Sequence, residues 1–327
     1  MKRRTGTVRL AILGVLLLVL AWGGHFLWGW YGPGPLAKDK AFVVPAGASI
    51  GSIAPKLEAE GVVASASTFR ARARLLGSDA PIKAGEFQLP AGASGSAVLK
   101  ILQGEEGTVR RLVTVPEGMP SIMVQERLMA QPLLTGPVDV PEEGSVLPDT
   151  YDIQRGDTRK AVLGRMQAAM RKTLAALWAK RGPDTVATTP EEAVILASIV
   201  EKETGKPSER RMVAGLYSNR LRQHMLLQAD PTIIYPITRG KPLGRRIRQS
   251  EIQAVNDYNT YTMTGLPKAP ITNPGRDSIE AVLHPAKTQA LYMVADGTGG
   301  HVFADTLQEH NANVAKWFAL RRARGDL

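Results

Sequence analysis

The sequence contains no cysteine among its 327 residues. This absence excludes disulfide bonds, thiol nucleophiles, iron–sulfur clusters and zinc–thiolate sites, and it excludes a lipid-modified cysteine as a membrane anchor. The five histidines form no HExxH or similar cluster, so we expect neither a metal ion nor another cofactor. A GxSxG elbow and a phosphate-binding loop are also missing. These absences leave carboxylate chemistry as the main candidate.

Lys and Arg outnumber Asp and Glu, which gives a formal net charge of +11. This charge is compatible with binding to nucleic acid, an anionic membrane or an acidic polymer. Four basic residues precede the first apolar stretch (Lys2, Arg3, Arg4 and Arg9), and no basic stripe interleaved with aromatic residues follows. We therefore expect no nucleic acid partner. The length and the 44% hydrophobic content predict about two domains with buried cores.

Residues 10–30 carry no Asp, Glu, Lys or Arg, and as a helix they would rise about 31 Å, enough to cross a bilayer core. Basic residues precede this segment, whereas Trp28, Trp30 and Tyr31 cluster at its other end. This arrangement predicts a cytoplasmic amino terminus, an aromatic belt and an exported remainder. We interpret residues 1–30 as a cytoplasmic tip with a single-pass anchor. The alternative is a cleaved signal peptide.

Residues 31–40 are rich in glycine and proline and are predicted to be a linker. A pattern of strand, Pro-x-Gly turn, polar cap and amphipathic helix then begins at Val44, Leu89 and Val115. With a further helix near 67–76, residues 41–112 read strand, helix, helix, strand. That order resembles LysM-like modules, which bind amino-sugar glycans, although a small α+β domain without a ligand is equally compatible. Residues 113–327 are predicted to form a second, mixed α+β domain.

A buried helix is predicted over residues 190–203, with Thr189 as N-cap and Glu192 closing a capping box. The helix is apolar on nearly every side, yet it ends in Glu201-Lys202-Glu203. Burial and the negative end of the helix dipole would raise the pKa of a carboxyl group there towards that of a general acid. Cleavage of a glycosidic bond needs such a group.

Two alternatives remain open for these glutamates. Both could pair with the neighbouring basic side chains (Lys202, Lys206, Arg210 and Arg211), and the residues themselves barely distinguish Glu201 from Glu203. Hydrolysis of a glycosidic bond also requires a second carboxylate, for which Asp149, Asp230 and Asp257 are candidates. No spacing rule selects one of them.

Residues 227–237 and 258–275 are dense in Asn, Gln, Thr and Tyr and carry little charge. Such side chains suit the neutral hydroxyl and acetamido groups of sugars, although two ordered surface loops are equally compatible. The basic run 239–248 is interpreted as a solvated loop, with contact to peptide-stem carboxylates as the alternative.

Several segments together resemble the endolytic murein transglycosylase (YceG-like) family: ASIVEKET at 197–204, LQADPTIIY, YNTY, GLPKAPITNPG and the stretch from HPAKT to GGHVF. The resemblance covers the chain in order, from the anchor through LPDTY at 147–151. One departure is EEGSVLPDTY, where Val146 and Leu147 replace a common aromatic residue.

The resemblance implies a membrane-bound lyase that cuts between N-acetylmuramic acid and N-acetylglucosamine, leaves a 1,6-anhydro end and terminates new strands. One glutamate would act as acid and then as base, and the family's position for it falls on Glu203. The resemblance implies that six residues line the glycan cleft: Gln228, Asp230, Thr232, Tyr235, Asn259 and Tyr261. Glycan strands and the inner membrane are expected partners, peptidoglycan synthases are candidates, and the catalytic domain should lie outside the cytoplasm. A noncatalytic glycan-binding scaffold and a water-using muramidase are the alternatives.

Overall fold

The computed structural model describes residues 2–45, 47–104, 109 and 111–325 of the chain. Helices and strands are mixed, which confirms the predicted α+β class. The chain divides into two compact units, residues 1–111 and 112–327. Unit 1 contains α1 (Lys2–Tyr31), β1 (Lys40–Val44), α2 (Ile50–Ala59), α3 (Ala66–Leu76), β2 (Gly85–Leu89) and α4 (Gly95–Gln103). Parts of two predictions lie outside the described residues: the basic side chains before residue 10, and positions 46, 105–108 and 110 of the predicted region 41–112.

Strand β3 (Arg111–Val115) begins at the boundary between the units. Unit 2 continues with α5 (Ser121–Met129), β4 (Asp149–Ile153), α6 (Arg159–Trp178), α7 (Pro190–Glu203), a 3₁₀ turn (Pro207–Glu209), α8 (Arg210–Arg222), α9 (Asp230–Thr238), α10 (Gln249–Ile252), α11 (Arg276–Leu283), β5 (Tyr292–Ala295), β6 (His301–Ala304) and α12 (Leu307–Arg324).

The three Pro-x-Gly segments form the same turn three times, as predicted. In each turn the amide after the glycine donates to the carbonyl of the proline, at 3.2, 3.1 and 3.2 Å in chain order. Gly47, Gly92 and Gly118 have φ angles of 75°, 68° and 70°, which residues with a Cβ adopt at a cost. Each turn leads from a strand into a helix: β1 to α2, β2 to α4 and β3 to α5.

Unit 1 is built on the antiparallel pair β1–β2, in which Lys40 pairs with Leu89 and Val44 with Gly85. Phe42 and Phe87 are directly opposite each other and fully buried against the helices. The predicted order of strand, helix, helix, strand is present, and α4 follows it. The likeness to LysM modules stays a prediction.

Residues 12–31 of α1 have a mean hydropathy of 1.9 and are long enough to cross a membrane, by length and composition. The predicted aromatic belt is wrong in one residue, because Trp30 is only 1% exposed and packs on Phe69 with ring centroids 5.8 Å apart. The predicted linker is irregular but not loose. Leu36 is buried in the core of unit 1, and its carbonyl accepts a hydrogen bond from the Gly92 amide.

Unit 2 contains two apolar clusters. One lies between β3, α5 and α6, and α6 contributes Val162 and Met166 to it. The other is centred on α7, which packs against α8 and α11. The Gly299-Gly300 turn joins β5 to β6 in an antiparallel hairpin.

Helix α7 ends at Glu203, as predicted, and is buried along most of its length. Its N-cap is also as predicted, because the Thr189 hydroxyl accepts the Glu192 amide at 3.1 Å. The Glu192 carboxylate interacts with the Thr189 backbone, as the predicted capping box requires. It also accepts hydrogen bonds from the amide and hydroxyl of Thr188, at 2.6 and 2.7 Å, which the prediction did not include.

Candidate active site

The two glutamates at the end of α7 have different surroundings. Glu201 is 6% exposed, and its carboxylate lies 3.8 Å from the Arg210 guanidinium and accepts the Gly275 amide at 2.9 Å. The pairing interpretation therefore holds for Glu201. This residue connects α7 to α8 and to the loop before α11.

Glu203 makes no ion pair with a basic side chain in the described part of the chain, and its Oε1 atom is buried without a hydrogen-bond partner. The Tyr217 hydroxyl from α8 hydrogen-bonds to the carboxyl group. The side chain as a whole keeps partial exposure, so a ligand can approach it. An unpaired buried carboxyl oxygen is costly and calls for an explanation, which a bound proton or ligand supplies.

Burial raises the pKa of Glu203 to about 8, and the negative charge of Asp230 adds to the rise. The Tyr217 hydrogen bond and the positive charge of Arg220 act in the opposite direction but do not cancel it. The carboxyl group is therefore protonated at neutral pH, and the Asp230 side chain lies near it. This is the state that a general acid requires.

Arg220 is held rigidly near Glu203 by backbone carbonyls. It is 8% exposed, and its guanidinium donates to the carbonyls of Leu291 at 2.6 Å and Leu227 at 2.9 Å. Because these neutral acceptors bring no negative charge, the positive charge continues to act on the site. The sequence reasoning missed Arg220 and Tyr217, although their spacing of three on α8 places both on one helix face.

Asp230 is the candidate second carboxylate that the fold brings near Glu203. It is the first residue of α9 and accepts a hydrogen bond from the Tyr261 hydroxyl at 2.6 Å. Of the other two candidates, Asp149 is exposed at the start of β4, and Asp257 pairs with Lys268 at 3.3 Å. The first polar segment is thus largely the helix α9 and not the surface loop that was the alternative.

Thr232 and Asn259 are fully buried, so the expectation that they line a cleft needs correction. The Thr232 hydroxyl donates to the Ala229 carbonyl at 2.6 Å and lies 2.9 Å from the Thr260 hydroxyl. The Asn259 amide donates to the carbonyls of Ile252 and Ala254 at 2.9 and 2.7 Å. Both side chains therefore form their hydrogen bonds inside the protein. Thr232 connects the two polar segments through Thr260, whereas Asn259 connects the second segment to carbonyl groups at the end of α10 and just after it.

Gln228 and Tyr235, the other two predicted residues, lie at different places. Gln228 is exposed beside Arg220 and has a φ angle of 53°, which is strained for a residue with a side chain. Tyr235 packs on Tyr258 with centroids 4.9 Å apart and hydrogen-bonds to Glu143, whose pKa burial raises to about 6.

Asn273, from the TNPG part of the second polar segment, is also a structural residue. Its amide nitrogen donates to the Met119 carbonyl at 2.9 Å and the Ser121 hydroxyl at 3.1 Å, and its oxygen accepts the Val146 amide at 3.0 Å. Val146, one of the two residues at the departure in EEGSVLPDTY, is fully buried. The departure therefore falls in a packed core that Asn273 ties to α5.

His310 and Tyr292 extend the surroundings of Arg220. The guanidinium lies over the Tyr292 ring at 5.3 Å, and the His310 ring stacks on the same tyrosine ring with centroids 5.2 Å apart. Burial lowers the pKa of His310, and the charge of Arg220 adds to this. His310 is therefore a neutral, flat surface beside the site, with its Nδ1 atom buried and unpaired.

Known proteins resemble this chain over most of its length. A sequence model of the YceG-like family matches residues 42–316. An endolytic murein transglycosylase of Bacillus subtilis (strain 168) is 27% identical over 343 aligned residues, which cover 92% of each chain. A protein of that name from Streptococcus pneumoniae serotype 2 is 29% identical over 92% of this chain, which spans only 64% of that relative.

A solved structure supports the same relationship. The crystal structure of a yceG-like protein from Listeria monocytogenes is 26% identical and covers 84% of this chain and 98% of its own, with a TM-score of 0.51. The family match extends over most of the chain and includes the Glu203 region. These findings confirm the resemblance read from the motifs: the chain belongs to the YceG-like family.

Proposed function

We propose that this protein is a membrane-bound endolytic transglycosylase of peptidoglycan, with Glu203 as its catalytic acid and base. One observation carries the proposal: Glu203 is held protonated, with an unpaired carboxyl oxygen, while Glu201 in the same helical turn is paired. The name of the relatives, endolytic murein transglycosylase, supports the substrate class.

The first step is acid catalysis. The protonated Glu203 donates its proton to the oxygen between N-acetylmuramic acid and N-acetylglucosamine, and the bond from C1 of the muramyl residue to that oxygen breaks. The N-acetylglucosamine side leaves with a new hydroxyl group. The Asp230 carboxylate, which lies near Glu203, stabilises the positive charge that develops on the muramyl ring.

The second step closes a ring and regenerates the enzyme. The 6-hydroxyl oxygen of the same muramyl residue bonds to C1, and the Glu203 carboxylate accepts the hydroxyl proton. The product carries a 1,6-anhydro end, no water is consumed, and Glu203 is protonated again. A single carboxyl group suffices, in contrast to the pair that hydrolysis requires.

Substrate contacts are proposed for the exposed or partly exposed predicted residues: Gln228, Asp230, Tyr235 and Tyr261. Their amide, carboxylate and phenol groups match the hydroxyl and acetamido groups of the glycan. Thr232 and Asn259 position these residues from the interior of the protein. Cleavage within nascent strands would terminate their elongation.

Analysis of product ends tests the proposal. Purified glycan strands incubated with the full chain should acquire anhydro-muramyl ends, detected by mass spectrometry. Reducing muramyl ends would indicate a muramidase, and intact strands a scaffold. A strand whose muramyl residues carry hydrogen in place of the 6-hydroxyl should resist cleavage, whereas a water-using enzyme would still cut it.

The two glutamates provide matched variants. Glu203→Gln removes the transferable proton but keeps the shape, and cleavage should fall by at least about a thousandfold. Glu201→Gln removes the carboxylate next to Lys202, in the same helical turn as Glu203. Cleavage should persist in this variant. Near-normal turnover of the first variant would refute the assignment of Glu203.

We also propose that α1 anchors the protein in the inner membrane, with the rest of unit 1 and the whole of unit 2 outside the cytoplasm. Length, composition and the aromatic residues at its outer end support this location. Carbonate washing of membranes should leave the full chain in the pellet. Release of a shortened, soluble chain would indicate a cleaved signal peptide.

A further inference from the structure

Helix α3 has a row of arginines with few partners. Arg70 and Arg74 have no carboxylate partner among the described residues, and they lie one helical turn apart on the exposed side. Asp79 is the only acidic residue between positions 61 and 85. The end of α3 is therefore positively charged, and no other part of the described chain neutralises it.

The direction of α3 is set by its contacts with α1. Phe69 packs on Trp30, whereas Arg72, three residues later, donates to the Gly29 carbonyl at 2.8 Å and lies over the Phe26 ring at 5.2 Å. Phe26 precedes Trp30 by about 6 Å along α1. Helix α3 thus runs antiparallel to α1, and its carboxyl-terminal end points back along the proposed membrane span.

The last turn of α3 carries an exposed apolar residue beside the arginines. Leu75 is 71% exposed, although it follows Arg74 directly in a small, well-packed unit. An apolar side chain beside arginines, one of which lies over Phe26, fits the boundary between headgroups and acyl chains. If only water surrounded this part of the helix, exposure of the Leu75 side chain would not stabilise the protein.

Arg72 adds an unpaired donor at the same level. Its Nε atom is buried without a hydrogen-bond partner, and it lines a cavity of about 320 Å³ together with His25, Ser65 and Thr68. A buried guanidinium N–H without an acceptor is costly, and a phosphate oxygen would satisfy it. Phosphate is the group that a phospholipid places at this depth.

We propose that the carboxyl-terminal end of α3 rests on the outer surface of the membrane that α1 crosses. The arginines Arg70, Arg72 and Arg74 bind the phosphates of anionic phospholipids, and Leu75 inserts at the acyl boundary. The inference rests on the proposed membrane span. Unit 1 is then held against the lipid surface and does not swing freely on its anchor.

The absence of cysteine makes the test direct, because a single introduced cysteine can be labelled alone. The full chain with Leu75→Cys carries an environment-sensitive fluorophore and is placed in nanodiscs of phosphatidylglycerol with phosphatidylcholine. Quenching by aqueous iodide should fall by about threefold or more relative to detergent, with a blue-shifted emission. Ser67→Cys is the matched control, because it lies on the same face of α3 about 12 Å farther from the span and should stay accessible.

Charge dependence distinguishes lipid binding from simple proximity. Arg70→Gln with Arg74→Gln should restore quenching at position 75, as should pure phosphatidylcholine nanodiscs. The control pair Arg171→Gln with Lys172→Gln removes two exposed charges from α6 and should leave the shielding unchanged.

Equal quenching of the Leu75 and Ser67 labels in anionic nanodiscs would overturn the proposal. Shielding of the Leu75 label that changes neither with lipid charge nor with the arginine substitutions would also overturn it. Failure of the membrane span gives a different result, because the chain would not incorporate into nanodiscs and carbonate would release it from membranes.

Discussion

The raised pKa of Glu203 predicts that the free energy of unfolding depends on pH. The Glu203→Gln substitution should remove this dependence on pH. The pKa is about 8 in the folded chain, against an ordinary value of 4.5 that applies when the chain is unfolded. The folded state therefore binds the proton more tightly. Stability is greatest below the unfolded value and falls as the pH rises from 4.5 towards 8, because the unfolded carboxyl group ionises and the buried one resists.

The magnitude follows from these two values. From about pH 5 to about pH 9, the ionisation of Glu203 should lower the free energy of unfolding by about 4 kcal/mol. The Glu203→Gln side chain cannot ionise, so its unfolding free energy lacks this contribution. Its unpaired amide donors add a constant cost of about 1 to 3 kcal/mol, which is independent of pH.

Urea unfolding of the full chain in detergent measures the effect through tryptophan fluorescence. The variant should gain about 4 kcal/mol relative to the native chain between the two pH values, whatever the offset at the lower one. Glu191→Gln, an exposed glutamate in the first turn of the same helix, should differ from the native chain by about 0.5 kcal/mol or less throughout. A Glu203→Gln difference that stays constant with pH would refute the claim that burial keeps this carboxyl group protonated.

Further substitutions test the groups around the site. Asp230→Asn removes a negative charge that raises the pKa of Glu203, so the alkaline limb of kcat/KM should move to lower pH. Tyr217→Phe removes a hydrogen bond that lowers this pKa, so the limb should move to higher pH, and equal shifts in one direction would contradict the geometry. Glu201→Gln should cost about 2 kcal/mol in urea unfolding while cleavage persists, because Arg210 loses a charged partner. Asn273→Ala should cost about 3 kcal/mol or more, since three hydrogen bonds to two other segments are lost; a cost below about 1 kcal/mol would exclude that role.

Local sequence signals predicted the turns and helices of this fold correctly where one signal was much stronger than the others. The three Pro-x-Gly turns recur because each needs a glycine with positive φ, and that requirement is visible in the sequence. Helix α7 could be placed from Thr189 and Pro190 to Glu203, because cap, first-turn proline and apolar content agree. The additional bonds from Thr188 to the Glu192 carboxylate were not predicted, because local spacing does not rank two neighbouring donors.

Polarity and motif position did not predict which side chains are free to bind a ligand. Thr232, Asn259 and Asn273 look like sugar-binding residues in the sequence, yet their partners are backbone groups and side chains brought close by folding. Conversely, Tyr217 and Arg220 stand in an ordinary amphipathic helix. Their role became visible only when α8 packed against α7 and directed them at Glu203.

The sequence by itself determined the secondary structure around the site, the apolar amino-terminal segment and the family, because each depends on local spacing or on contiguous motifs. It left Glu201 and Glu203 nearly tied. The tertiary structure separates them, because Arg210 and the Gly275 amide reach Glu201, whereas Glu203 lies between a buried tyrosine and the charge of Asp230. The pKa of a carboxyl group depends on charges and burial within a few ångströms, and those neighbours come from segments that only folding brings together.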